Sequence, residues 1–314
     1  MSALASRSFR NKLKRFPLVR VKNESWTRRV SAINFFETFC KVSPLDFSLY
    51  RPDWVRNLVT LMDDRQIEVV EATVPAFEAF SKSIDKEELD SLVVTLRRTI
   101  EGTGTPGRPV PGFGIKGSIS SMLPIIIAGL TTGSNDQREQ AAHAIGDLVE
   151  RTEEAAFKPY VVQFTGPLIR VATQATAYPP GVKVAILKSL TAMLERIPTQ
   201  LKPFFPQLSR TFVKSCSDGS SLAVRNSAAK ALGTLIRNSQ TRVDALLTEL
   251  TSTANTSEDE AIAASLVLAL AYVVRSAIAS IGPESKDTCV SLIESAFRAR
   301  HDGTTHFVLM AKSC

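Results

Sequence analysis

The chain has 314 residues, of which 44% are hydrophobic and 22% charged, and its formal net charge is +7. These proportions are typical of a globular protein, and an aromatic content of only 7% beside abundant Leu, Ala, Ile and Val favours helices over a β-sandwich. The four cysteines are widely spaced and form no CxxC pair. This argues against a disulfide framework and a zinc site, and it fits a reducing, cytoplasmic compartment.

The first element is a basic tail, predicted over residues 1–29. The tail holds nine Lys or Arg residues and one acid, Glu24, so the rest of the chain is nearly neutral. A neutral body argues against a broad basic face for DNA. We expect a solvated, disordered tail; the alternatives are a contact with RNA or an acidic surface, and a transit peptide. No apolar signal segment opens the chain, which argues against secretion.

A ten-residue pattern of small and apolar residues recurs after the tail. Its copies begin at Ser31, Val70, Ala141, Ile186, Ala228 and Ala264; the plainest pair is AAHAIGDLVE (141–150) and AAKALGTLIR (228–237). Neighbouring copies are 36–45 residues apart, except for the 71 residues from Val70 to Ala141. Such a period predicts an α-solenoid built from two-helix units. A compact helical bundle is the alternative, but it needs no motif at a fixed period.

Residues 201–237 illustrate the predicted fold of one unit. The apolar face of its first helix comprises Phe205, Leu208, Phe212 and Val213. The stripe of its second helix comprises Val224, Ala228, Ala231, Leu232 and Leu235. Between them lies a turn, SDGSS, that can cap the second helix, and the small side chains at 228, 229 and 233 let a neighbouring helix approach closely.

The order of Pro, helix, Asp turn, Val-Arg and helix in this unit resembles a HEAT repeat. We therefore predict an all-α, HEAT-repeat α-solenoid, an armadillo-like superhelix. The repeats are predicted over residues 30–100 and 119–314, with the last one incomplete.

Residues 101–118 interrupt the repeat as a predicted loop insertion with six Gly and three Pro. The loop contains two GxGxxG strings, at 102–107 and 112–117. A dinucleotide-binding fingerprint requires a strand before it and a βαβ unit around it, whereas the segment before this loop is predicted to be helical. The sequence therefore predicts no nucleotide site here.

The chain carries no recognisable catalytic or metal-binding pattern. Its three histidines form neither an HExxH motif nor a cluster with cysteines, and there is no GxSxG string. The longest apolar run, residues 261–274, ends at Arg275 and is shorter than the ~20 residues of a membrane span. We expect no enzyme activity, no cofactor, no metal, no membrane and no DNA.

Several ordered segments resemble a single family. They are VPGFGIKGSISSMLPIIIAGLTTGSNDQREQAAHAIGDLVE (110–150), TGPLIRV (165–171), LKPFFPQLSRTFVKSCSD (201–218), RNSAAKALGTLI (225–236) and RVDALLTEL (242–250). They are similar to the translational activator family called general control non-derepressible protein one, which are very long HEAT-repeat scaffolds. The resemblance implies a non-catalytic, ribosome-associated scaffold that activates the kinase of initiation factor 2 alpha in amino-acid starvation.

In that family, the matching stretch implies a docking region for the RWD domain of the kinase. The Arg that closes GPLIR, the Phe after KP and the Ser of SCSD belong to the docking surface; here they are Arg170, Phe204 and Ser217. The neighbouring Phe205 leaves the Phe assignment open by one residue. From the residues themselves, a basic ridge is predicted that pairs with acids of the partner, lined by Lys202, Arg210, Lys214 and Arg225.

Simpler roles remain open for these residues, and so do other functions. Arg170 ends a helix, where a cation meets the negative end of the dipole; Phe204 fits a core and Ser217 fits a cap. The alternative function is a generic HEAT-repeat adaptor of the nuclear-transport or phosphatase-scaffold type, which an acidic inner groove would favour. The family protein is far longer, so we expect this chain to be a fragment, with the ribosome a partner of the full-length protein.

Overall fold

The computed structural model describes residues 24–43, 46–174, 178–240, 243–277 and 279–301. Within these ranges the chain forms thirteen helices of ten or more residues and no strand. They are α1 (Trp26–Val42), α2 (Arg51–Leu61), α3 (Ile67–Lys82), α4 (Val93–Gly102), α5 (Ser118–Thr131), α6 (Asn135–Arg151), α7 (Val161–Thr173), α8 (Pro180–Arg196), α9 (Phe205–Cys216), α10 (Leu222–Asn238), α11 (Val243–Thr256), α12 (Glu260–Ala277) and α13 (Pro283–His301).

The helices belong to two compact units, divided between Pro167 and Leu168 inside α7. In the first unit, α1, α3 and α5 stack as one layer, and α2, α4 and α6 form the second layer. In the second unit, α8, α10 and α12 stack in the same way, while α9 packs on α10 and α11 packs on α12. Each unit therefore shows the layered helix stacking of a HEAT-repeat α-solenoid, which confirms the predicted fold class.

Aromatic side chains form the core of the first unit near its start. Trp54 in α2 is 3% exposed, and its ring centroid lies 5.0 Å from that of Phe36 and 6.0 Å from that of Phe80. Both contacts are edge-to-face, an arrangement that the ring quadrupoles favour. Since α1, α2 and α3 each contribute one ring, this cluster ties the two layers of the unit together.

Small residues on α10 allow close helix packing in the second unit, as the sequence predicts. The whole stripe of Val224, Ala228, Ala231, Leu232 and Leu235 is at most 2% exposed. A Cβ atom on Gly233 would lie 2.8 Å from the Cβ of Tyr272 in α12 and 3.1 Å from its carbonyl oxygen. Glycine at this position therefore lets the backbones of α10 and α12 approach each other.

The apolar helix α12 is long and hydrophobic enough to cross a membrane by length and composition alone, with a mean hydropathy of 1.6. In the second unit it packs against α10, α11 and α13. Its residues Leu266, Ala269, Leu270 and Val273 are completely buried. Burial of this face of α12 accounts for the apolar residues on it.

The repeat copies at Ser31 and Val70 occupy a different layer from the copy at Ala141. The first two lie in α1 and α3, which stack with α5, whereas Ala141 lies in α6, which stacks with α4. The ten-residue pattern therefore occurs in both layers. Both helices of each pair bury one face, so both carry apolar residues at the same spacing, and spacing alone does not distinguish the layers.

The Gly/Pro-rich segment is shorter than predicted, because α4 extends to Gly102 and α5 begins at Ser118. The connector of residues 103–117 is packed in part: Val110 and Phe113 are buried, whereas residues 104–109 are exposed. The amide of Val110 donates to the carbonyl oxygen of Arg151 at 2.8 Å. This contact holds the connector against the end of α6.

The second GxGxxG string, residues 112–117, is used for backbone packing. The amide of Gly112 donates to the carbonyl oxygen of Met62 at 2.8 Å, and a Cβ on Gly112 would lie 2.5 Å from that oxygen. Gly117 has a φ of 96° at the N-cap of α5, a conformation that side chains other than glycine's rarely adopt. Close packing and one left-handed turn therefore explain two of its glycines.

The basic tail ends earlier than the predicted boundary at residue 29. Helix α1 begins at Trp26, and the Arg29 guanidinium lies 2.8 Å from the Asp64 carboxylate. Both side chains are only 13% exposed, so Arg29 belongs to the folded first unit. Residues 1–23 of the predicted tail and residues 302–314 of the predicted last repeat lie outside the described residues.

Candidate partner-docking site

Arg225 lies inside the second unit and does not line a surface ridge, contrary to the prediction. The side chain is 6% exposed. Its Nε donates to Ser265 Oγ in α12 at 2.8 Å, and its Nη1 donates to the carbonyl oxygen of Asp218 at 2.8 Å. Its position in α10 directs the side chain toward α12. The guanidinium therefore hydrogen-bonds to a carbonyl of the turn and does not face a binding partner.

Arg138 makes a similar contact in the first unit. Its Nη1 donates at 2.7 Å to the carbonyl oxygens of both Leu130 and Thr131, which close the preceding helix α5. An arginine near the start of one helix thus hydrogen-bonds to the last two carbonyls of the helix before it. Hydrogen bonding to the carbonyls before the helix, rather than docking, explains why the HEAT pattern has an arginine at position 225.

Asp218 also stabilises the same turn through hydrogen bonds of its carboxylate. Lys183 of α8 donates to its carboxylate at 2.7 Å, and the amide of Ser220 donates to it at 2.9 Å. Burial alone would raise the pKa of Asp218, but the hydrogen bonds from Lys183 and Ser220 together lower it below its ordinary value. The charged carboxylate therefore stabilises the folded second unit.

We expect Asp218→Asn to remove part of the acid sensitivity of the second unit. A lowered pKa in the folded state means that the unfolded chain binds the proton more readily, so the contribution is complete above about pH 4 and is lost as pH falls further. The substitution should lower the free energy of unfolding by about 1–3 kcal/mol at pH 7. It should also make that free energy fall less steeply as the pH drops below about 4. Denaturation followed by circular dichroism from pH 7 to pH 3 checks both effects; an unchanged limb would contradict the assignment.

The remaining predicted basic residues form a cationic face, which we define as Lys202, Arg210 and Lys214. All three are exposed. Arg210 and Lys214 are four residues apart in α9 and so share one side of the helix, while Lys202 lies in the 3-10 turn just before it. Among the described residues, none of the three forms an ion pair.

The three residues that the family resemblance singles out lie in different settings. Arg170 is exposed in the last turn of α7, where its cation also complements the helix dipole. Phe204 is half-buried at the N-cap of α9, and Ser217 is half-buried at the C-cap of the same helix. Arg170 is therefore the one whose side chain is most accessible to a partner.

A groove in the second unit adjoins the cationic face. It has a volume of about 950 Å³ and lies among α9, the C-terminal end of α10 and the start of α11. Two residues of the cationic face, Lys202 and Arg210, line it, and Phe205 lines it as well. The structure thus brings Lys202 and Arg210 together, and it places Phe205 rather than Phe204 beside them.

Sequence reasoning missed the α11 side of this groove. Ala245, Leu246 and Glu249 come from a helix some forty residues away in sequence from Lys202 and Arg210. The motif RVDALLTEL supports the family resemblance, but a resemblance does not show which helix this segment contacts. One available signal was the repeat period, since helices one repeat apart become neighbours in a solenoid.

The described residues hold no group of three or more His, Cys, Asp or Glu side chains that could bind a metal ion. The buried thiols are also poorly suited to chemistry, because desolvation raises the pKa of Cys216 to about 12.

Comparisons with known proteins give one family. A family model described as "Stalled ribosome sensor GCN1-like, HEAT repeats" matches residues 17–117. The "eIF-2-alpha kinase activator GCN1" of Saccharomyces cerevisiae is 36% identical over 282 residues, which cover 90% of this chain and 10% of that protein. The "Stalled ribosome sensor GCN1" of Homo sapiens is 34% identical over 279 residues, covering 88% and 10% respectively.

A plant relative and a solved structure extend the comparison. "Protein ILITYHIA" of Arabidopsis thaliana is 33% identical over 285 residues, covering 88% of this chain and 10% of that protein. The chain thus spans about a tenth of the length of the curated relatives it matches. A crystal structure of importin beta has a TM-score of 0.50 at 14% identity, covering 93% of this chain and 39% of importin beta. At that identity the likeness concerns the fold alone.

Proposed function

Because the chain belongs to the GCN1 family of HEAT-repeat proteins, we propose that it is a non-catalytic scaffold segment that docks the kinase of initiation factor 2 alpha. We further propose that the docked part is the RWD domain of the kinase, and that docking occurs in the cytoplasm on the second unit. The yeast relative's name, an activator of this kinase, supports the choice of partner.

The observation that carries this proposal is that Arg170 and the cationic face of Lys202, Arg210 and Lys214 are exposed. None of these four side chains forms an ion pair among the described residues. Arginine suits planar, bidentate pairing with carboxylates, and exposed charges of one sign steer an acidic partner toward the surface. An acidic groove would instead favour basic cargo and the nuclear-transport alternative.

The proposed mechanism is positional. The stacked helices hold the cations on a rigid surface, so little conformational freedom is lost when a partner binds. The scaffold binds the regulatory domain of the kinase and brings it near its activating signal, and the kinase alone carries out phosphoryl transfer. The ribosome is proposed as a further partner of the whole family protein, in line with the name of the human relative.

We expect Arg170→Ala to weaken binding of the RWD domain by about tenfold or more, because hot-spot residues contribute about 2 kcal/mol or more. The measurement is a titration of the purified domain against the full chain, with circular dichroism used to confirm equal helicity. The matched control is Lys188→Ala, which removes another exposed cation from α8 of the same unit. The control should bind like the wild type.

Equal loss in both variants would show that net charge, and not position, drives binding. Unchanged binding by Arg170→Ala would contradict a docking role for Arg170, which would then only complement the dipole at the end of α7. If the wild-type chain does not bind the domain, the proposed function falls.

A further inference from the structure

The groove beside the cationic face has two chemically different walls. Its α9 wall carries Lys202 and Arg210, and its α11 wall carries Glu249. Glu249 is exposed and, among the described residues, forms no ion pair within 4.0 Å, as is also true of the two cations. The groove therefore carries opposite charges on its two walls, and each charge is available to pair with a bound partner.

Apolar groups lie between these charged edges. Leu235, Ile236 and Leu246 form a floor whose side chains are 2%, 4% and 8% exposed. Phe205, which is half-buried, and Ala245, which is exposed, add accessible apolar surface on the two walls. An occupant should thus be apolar along its centre and charged along both edges.

The groove suits a helix better than an extended peptide. An extended strand needs partners for its backbone amides and carbonyls, and helical walls offer no sheet edge. The side-chain amide of Asn238, which lines the groove, already donates to the carbonyl oxygens of Leu194 and Thr234, each at 3.0 Å. A helix satisfies its own backbone, and a volume of about 950 Å³ holds roughly two turns at a diameter of ~10 Å.

We infer that the groove receives an amphipathic helix of the docked kinase domain, with acidic residues along the edge that meets Lys202 and Arg210 and a basic residue along the edge that meets Glu249. This inference rests on the proposed function. It adds a binding site and a secondary structure for the bound element. It also fixes the orientation of the helix, because reversing the helix in the groove would place like charges together.

The test compares two charge reversals in the full chain, titrated with the purified RWD domain at low and physiological salt. Glu249→Lys places a third cation in the groove and should weaken binding about tenfold, because a basic side chain of the helix would then face a like charge. Glu258→Lys makes the same change at an exposed position in the turn before α12, outside the groove, and should leave binding unchanged. Both residues are exposed, so neither change should disturb folding.

A second measurement locates the bound element directly. A photo-cross-linking amino acid at Ser209, which is half-buried in the groove wall, should attach to a helical segment of the domain. The same amino acid at Lys188 in α8 should not.

Three outcomes separate the two proposals. Weakening by Glu249→Lys together with a cross-link from position 209 supports the groove. Loss of binding in Arg170→Ala, with equal binding by both Glu reversals and no cross-link from position 209, overturns the groove while docking stands. Failure of the wild-type chain to bind the domain removes both proposals.

Discussion

Arg151→Ala should lower the free energy of unfolding of the first unit by about 3–5 kcal/mol. The side chain is 2% exposed at the last position of α6. Its Nη2 donates to the carbonyl oxygen of Glu101 at 2.8 Å, and its Nε donates to that of Thr103 at 3.2 Å. Removal of the guanidinium leaves these two carbonyls, one of them in the buried residue Thr103, without their donors.

A neighbouring carboxylate adds to the expected loss. Asp147 lies 3.4 Å from Arg151 and 3.2 Å from Arg97. Burial raises the pKa of Asp147 even with both guanidinium groups beside it. Without Arg151, the half-buried carboxylate would retain only one of these two cations, so its charged form would be less stable.

Fluorescence makes this measurement specific to the first unit. Both tryptophans of the chain, Trp26 and Trp54, lie in that unit. Urea denaturation followed by tryptophan emission therefore reports the first unit, and Arg98→Ala is the matched control, since Arg98 is exposed on α4. The control should change stability by no more than about 0.5 kcal/mol. A comparable small change in Arg151→Ala would show that water replaces the guanidinium at little cost.

Gly112→Ala is expected to destabilise the first unit by about 1–3 kcal/mol through overpacking. The new Cβ would lie 2.5 Å from the carbonyl oxygen of Met62 and 2.7 Å from its Cα, so the backbone of one segment would have to shift. The shift would also strain the hydrogen bond from the Gly112 amide to that oxygen. Denaturation followed by tryptophan emission again measures the free energy of unfolding of the first unit.

Gly114→Ala provides a control two residues along the same GxGxxG string. A Cβ on Gly114 would meet nothing within 4 Å, so the substitution should be neutral or stabilise by up to about 1 kcal/mol through the unfolded state. Equal destabilisation by both changes would indicate that the connector needs flexibility at every glycine. Destabilisation by Gly112→Ala alone would support the packing role.

Periodicity was enough to predict the helices and their buried stripe, because one face of each helix must be removed from water. The stripe on α10 and the close approach at Gly233 were both predicted and both found. The layer in which α1 and α3 lie could not be predicted, since their apolar spacing is the same as that of the opposite layer. Nor does spacing reveal that the connector after α4 packs on Met62.

The candidate docking site was only partly accessible to sequence reasoning. Lys202 and Arg210 are near each other in sequence, and the structure places both on one wall of the groove. It wrongly added Arg225, because charge alone does not show whether a guanidinium faces solvent or a turn carbonyl. Glu249 escaped notice because it approaches the site from the next repeat, and such distant pairings depend on the stacking of whole helices.

The contacts around the turn before α10 bear on how this protein can be cut into pieces. Lys183 of α8 reaches the turn from one side, and Arg225 of α10 connects it to Ser265 of α12 on the other. A truncation that ends after α10 would remove Ser265 and expose the α10 surface that α12 covers. A fragment for crystallisation should therefore include α8 through α12, and one for binding assays should also keep α7, which carries Arg170.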